Sequence, residues 1–174
     1  MTTGAHLWAI AYDDMGRADQ VRDVVSQLAW DSGHVVKYLI LQDIAVVVRH
    51  PDGSFTFDRE PFPGVANIVS WAAVGFLAGL VLAAPLAGAA IGALVGGLGA
   101  AAAAAAVGIP AKFVHEAEEL MKPGTSALFV LDDQVDMEVV LHTIRGLGGT
   151  VLKTDVDLER AQLIQSTLAA ASDK

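Results

Sequence analysis

The chain has 174 residues, a net charge of −9 and no cysteine, so it can form one domain with a core and has no disulfide or thiolate chemistry. Its acidic balance excludes a nucleic-acid-binding surface, because neutralising phosphates requires clustered Lys and Arg. From Pro61 to Ala111 the sequence contains no charged residue and no histidine. We call this stretch the uncharged block, and it divides the chain into residues 1–60, 61–111 and 112–174.

Residues 1–60 carry the pattern of a strand, a helix and a strand. The apolar run Leu7 to Tyr12 predicts a buried strand that ends at Asp13-Asp14, which we interpret as helix N-caps. Apolar residues at steps of three and four predict an amphipathic helix over Met15 to Trp30. The β-branched run Ile44 to Arg49 predicts a second strand, and a Pro-Asp-Gly turn after it predicts a short returning strand.

Residues 112–174 repeat this order after one linking helix. Pro110 is placed as the first residue of that helix, because proline suits the first helical turn. The patterns that follow predict a strand over Ser126 to Leu131, a helix containing Val139 and Ile144, a strand over Thr150 to Thr154, and a closing helix over Asp157 to Ala171. A second Asp-Asp pair, Asp132-Asp133, again precedes a helix as a predicted cap.

Two β-α-β halves predict the α+β class, with the split β-α-β order of a ferredoxin-like fold. The uncharged block is then an insertion between the halves. We expect its two ends to leave the domain close to one another.

The uncharged block itself is predicted to be a helical hairpin that turns at Pro85. Its arms, residues 65–84 and 86–109, are each long enough to cross the hydrocarbon core of a bilayer, about 30 Å thick. Trp71, near the start of the first arm, suits an interfacial anchor.

Glycines at four-residue steps occupy one face of each arm: Gly75, Gly79, Gly88, Gly92 and Gly96. Small residues at this spacing let helix backbones approach closely. Each glycine costs an exposed helix about 1 kcal/mol relative to alanine, so the arms need a covering surface. That surface is either lipid or other copies of the chain, because Ala and Gly drive insertion into lipid only modestly.

Several motifs resemble a bacterial family known as domain of unknown function 1269. They are Ile10 to Asp14, Ala45 to Val48 followed by Asp52-Gly53, the Gly/Ala-rich block, Lys122 to Leu131, and Gly148 to Thr154. The resemblance covers nearly the full length. The resemblance implies the architecture described above and the membrane association predicted for that family. It implies no activity.

No catalytic, cofactor or metal site is predicted. None of the histidines pairs with another at metal-ligand spacing: His6, His34, His50, His115 and His142. We therefore expect a non-enzymatic, membrane-associated homo-oligomer with the α/β domain and both termini in the cytoplasm. The alternatives are a soluble self-assembling protein with the hairpins in a shared core, and a small-molecule sensor module.

Overall fold

The computed structural model describes residues 5–31, 43–58, 104–132, 137–157, 159 and 163. The principal elements among them are β1 Ala5–Tyr12, α1 Arg17–Asp31, β2 Asp43–Arg49, β3 Phe55–Asp58, α2 Ala111–Leu120, β4 Thr125–Asp132, α3 Met137–Ile144 and β5 Thr150–Val156. A short 3-10 helix, Arg145–Leu147, joins α3 to β5.

The strands form a five-stranded sheet in the order β3-β2-β4-β1-β5. Every neighbouring pair is antiparallel. In β1, Leu7 and Ala9 are buried on one face, and Ile10 and Tyr12 are buried on the other. A strand buried on both faces requires a nearly continuous apolar run, which the sequence provides there. The sheet and its helices confirm the predicted α+β class.

Helices α1 and α3 cover one face of the sheet. Val21 and Val25 of α1 and Val140 and Ile144 of α3 are buried in one cluster with Ile10 of β1. These positions follow the helical spacing that the sequence shows, so the apolar stripe of each helix faces the sheet.

The opposite face is covered by α2 and by the end of the uncharged block. Phe113 and Ala117 of α2 are buried against this face together with Ala104, Val107 and Ile109. Pro110 lies at the N-cap of α2 rather than inside the helix. The last residues of the block therefore belong to the core of the α/β domain.

The end of the block is held by backbone hydrogen bonds. Helical residues end at 106, and Gly108 follows with φ +87°, a conformation that favours glycine. The Ile109 amide donates to the Ala104 carbonyl at 2.9 Å, and the Asp157 amide donates to the Val107 carbonyl at 2.8 Å. This last bond attaches the block to the chain just after β5.

The predicted transmembrane helical hairpin is wrong for the part of the chain that the structure describes. No helix among those residues is long and apolar enough to cross a membrane, and the fold is a sheet with short helices. The whole of the first predicted arm, residues 65–84, and most of the second, residues 86–103, lie outside the described residues.

The prediction that the ends of the block lie close together stays a prediction, because residues 59–103 lie outside the described part of the chain. The chain approaches the block from β3 at one edge of the sheet. It returns at Val107, which is hydrogen-bonded beside the end of β5 at the other edge. Four strand spacings separate the two edge strands, or about 19 Å across the sheet.

Candidate functional site

A small pocket lies where β1 ends and β5 begins. Its volume is about 340 Å³, and its walls are formed by Ala11, Tyr12, Asp13, Asp14, Arg17, Leu120, Leu147, Gly149 and Thr150. This volume is at the lower end of the range for small-molecule sites. The lining combines one guanidinium, one phenol and two carboxylates with a few apolar side chains.

Ser126 organises the turn between β1 and α1. Its hydroxyl donates to the Asp14 carbonyl at 2.5 Å and accepts from the Ala18 amide at 3.1 Å. Asp14 Oδ1 accepts from the Gly16 amide at 2.8 Å, so Asp14 caps the turn before the helix rather than the helix itself. The buried hydroxyl of a β4 residue thus sets the position of Asp13, Asp14 and Arg17.

Tyr12 is the most unusual group in the pocket. The residue is only 4% exposed, and its hydroxyl has no hydrogen-bond partner within the described part of the chain. Burial raises the pKa of the Tyr12 phenol to about 12, and the nearby positive charge of Arg17 opposes that rise. A buried polar atom without a partner costs roughly 1–3 kcal/mol, so a group that bonded to this hydroxyl would recover part of that cost.

Arg17, in the first turn of α1, provides the positive charge of the pocket. Its Nη1 donates to Gln20 Oε1 at 3.2 Å, and the residue is half-buried. Asp13 and Asp14 are exposed. Guanidinium, phenol and carboxylate groups recognise polar ligands through charge-assisted hydrogen bonds.

Gly149 closes the pocket against the Tyr12 ring. A Cβ at this position would lie 2.6 Å from Tyr12 Cε1 and 3.1 Å from Ile10 Cγ2, and φ is +106°. Glycine is thus required here both by the backbone conformation and by the close approach of the ring.

The pocket was not predicted from the sequence. The sequence predicts a helix cap at Asp13-Asp14 and a helix break at the glycines before β5, and neither interpretation indicates a pocket. The signal that could have found it is the combination of a tyrosine at the end of a strand, an arginine five residues later and a Gly-Gly pair. Local sequence does not show that β5 returns beside β1.

The residues predicted from the sequence for packing of the block lie outside the described residues: Gly75, Gly79, Gly88, Gly92, Gly96, Pro85 and Trp71. Their predicted roles stay predictions. Among the residues with described positions, no three His, Cys, Asp or Glu side chains are grouped as a metal site.

The fold and pocket define an α+β protein with a sheet covered on both faces and a small polar cavity at one end. The chain belongs to the family of proteins of unknown function DUF1269, whose sequence profile matches residues 69–169, more than half of the chain. This confirms the predicted family. Neither the curated proteins nor the solved structures include a significant match.

Proposed function

We propose that the protein is a non-enzymatic homo-oligomer in which the uncharged block packs between protomers. The observation that carries this proposal is the burial of Ala104, Val107 and Ile109 in the core of the domain. The end of the block therefore lies inside the protein core.

The composition of the block supports the same proposal. Helical segments with so many glycines are costly in water, at about 1 kcal/mol for each glycine relative to alanine. In the described part of the domain, α2 and the end of the block cover one face of the sheet, and α1 and α3 cover the other. We therefore expect a second copy of the chain to cover the glycine face that the sequence predicts.

We also propose that the sheet is a split β-α-β arrangement with one added edge strand. Without β3, the strand order is β2-β4-β1-β5. Helix α1 connects β1 to β2, and α3 connects β4 to β5. Each connection thus joins two strands that have a third strand between them, which supports the ferredoxin-like order.

Light scattering of the full chain after size-exclusion chromatography, without detergent, tests the assembly. We expect a uniform particle with a mass that is a multiple of 18.1 kDa. Gly92→Leu should reduce that mass, because a large side chain separates the glycine faces. Gly146→Leu is the matched control, since nothing lies within 4 Å of a Cβ placed there.

Two results would contradict the assembly proposal. One is a folded 18.1 kDa monomer. The other is a chain that stays in solution only when detergent is present.

A further inference from the structure

The pocket between Tyr12 and Gly149 is lined by two chemically different kinds of group. Arg17 and Tyr12 line the same cavity, and the guanidinium and the phenol hydroxyl can both donate hydrogen bonds. Asp13 lines the same cavity with an exposed carboxylate. A donor pair and an acceptor therefore share a space of about 340 Å³.

The two donors match a carboxylate. Guanidinium groups bind carboxylates through charge-assisted hydrogen bonds. The Tyr12 residue is only 4% exposed, and its hydroxyl has no partner among the described side chains and backbone. A ligand carboxylate between Arg17 and Tyr12 would give that hydroxyl the acceptor it lacks.

The carboxylates match an ammonium group. The pocket lining holds two carboxylates and one guanidinium, and the whole chain carries a charge of −9. A simple anion would be repelled by Asp13 and Asp14. A simple cation would be repelled by Arg17 and would leave the Tyr12 hydroxyl without an acceptor. A ligand with both charges satisfies both kinds of group.

We propose that this pocket binds a small zwitterion of the size of a free α-amino acid. Its carboxylate accepts hydrogen bonds from Arg17 and the Tyr12 hydroxyl, and its ammonium group faces Asp13. The ligand side chain contacts Ala11, Leu120 and Leu147, the apolar part of the lining. This inference is independent of the assembly proposal, because every group it uses belongs to one protomer.

Isothermal titration calorimetry of the full chain with L-alanine, L-leucine and L-phenylalanine tests the proposal. Each amino acid is compared with two analogues, one lacking the ammonium group and one lacking the carboxylate. We expect at least one amino acid to bind, and both of its analogues to bind roughly tenfold more weakly or worse.

Variants assign the binding to the pocket. Arg17→Gln should weaken binding roughly tenfold or more, and Tyr12→Phe and Asp13→Asn should each weaken it severalfold. Arg145→Gln removes the same charge from a nearby exposed residue outside the lining and should leave binding unchanged. Circular dichroism of each variant shows whether the fold is retained.

The proposal is overturned if none of the three amino acids binds. It is also overturned if the analogue without the ammonium group binds as tightly as the amino acid, or if Arg17→Gln in a folded protein leaves the affinity unchanged. None of these results depends on particle mass, so they are separate from a failure of the assembly proposal.

Discussion

Tyr12 illustrates how one buried side chain links stability to pH. Its pKa is raised by burial from 10.0 to about 12, so the folded chain keeps the phenol proton at a pH where the unfolded chain has lost it. The stability that this residue contributes is complete below pH 10 and is lost as the pH rises toward 12.

An ultraviolet difference titration of the wild type minus Tyr12→Phe measures this ionisation directly. We expect the difference curve to be centred near pH 12 rather than 10.0. Subtraction removes the signal of Tyr38, the other tyrosine in the chain. A difference curve centred at the ordinary tyrosine pKa would show that the phenol is hydrated.

Gly149 provides a second prediction at the scale of a single residue. Gly149→Ala should lower the free energy of unfolding by roughly 2 kcal/mol or more, because it adds a collision with Tyr12 to an unfavourable φ. Urea denaturation measures the loss.

Two other glycines separate the cost of the backbone conformation from the cost of the collision with the Tyr12 ring. Gly53 has φ +87° with nothing within 4 Å, so Gly53→Ala should cost only about 1 kcal/mol from the backbone. Gly146 has neither constraint, and Gly146→Ala should change stability by less than about 0.5 kcal/mol. Equal effects at all three positions would contradict the role of the Tyr12 ring.

At the scale of elements, the end of the uncharged block behaves as part of the core. Ile109 is 1% exposed, so Ile109→Ala should lower the free energy of unfolding by roughly 2–5 kcal/mol. Val151→Ala, at a residue that is 42% exposed, is the control and should cost much less. Chemical denaturation followed by circular dichroism compares them, and similar losses would show that the block end is not packed.

Most described elements were predicted within two residues of their observed ends. Continuous apolar runs identify β1, β2 and β4 because strands buried on two faces have no polar alternation to obscure them. The sequence pattern predicts that α1 starts at Met15, but the helix starts at Arg17, because Asp14 and Ser126 hold the preceding residues in a turn. The hydrogen bond from Ser126 of β4 to the Asp14 carbonyl joins residues far apart in the chain, so local sequence does not show it.

At the scale of the whole molecule, two helical layers share one sheet. The cluster that contains Ile109 and the cluster that contains Ile144 lie on opposite faces. Ile109→Val and Ile144→Val should each cost about 0.5–1.5 kcal/mol, and their effects should add within about 0.5 kcal/mol.

A pair of residues within one cluster provides the comparison for the additivity of Ile109→Val and Ile144→Val. Ile109 and Phe113 are buried together, so Ile109→Val combined with Phe113→Leu should deviate from additivity. Urea unfolding of the single and double variants provides all the values. Strong coupling across the sheet, with none within the cluster, would contradict the layered arrangement.

The α+β class and the family could be predicted from the sequence because they depend on local patterns. The pocket could not, since Tyr12 and Gly149 come together only through the pairing of β1 with β5. The hydrogen bond between Val107 and Asp157 could not be predicted either, because it joins residues that are far apart in the chain.

The positions of β3 and of the hydrogen bond between Val107 and Asp157 limit how the chain can be shortened. A deletion that joined β3 to Val107 through a tight turn would pull either the edge strand or Val107 away from the sheet. Since an extended residue spans at most about 3.6 Å and the sheet is about 19 Å wide, a replacement connection needs at least about six residues. A shorter splice should yield misfolded protein, whatever its composition.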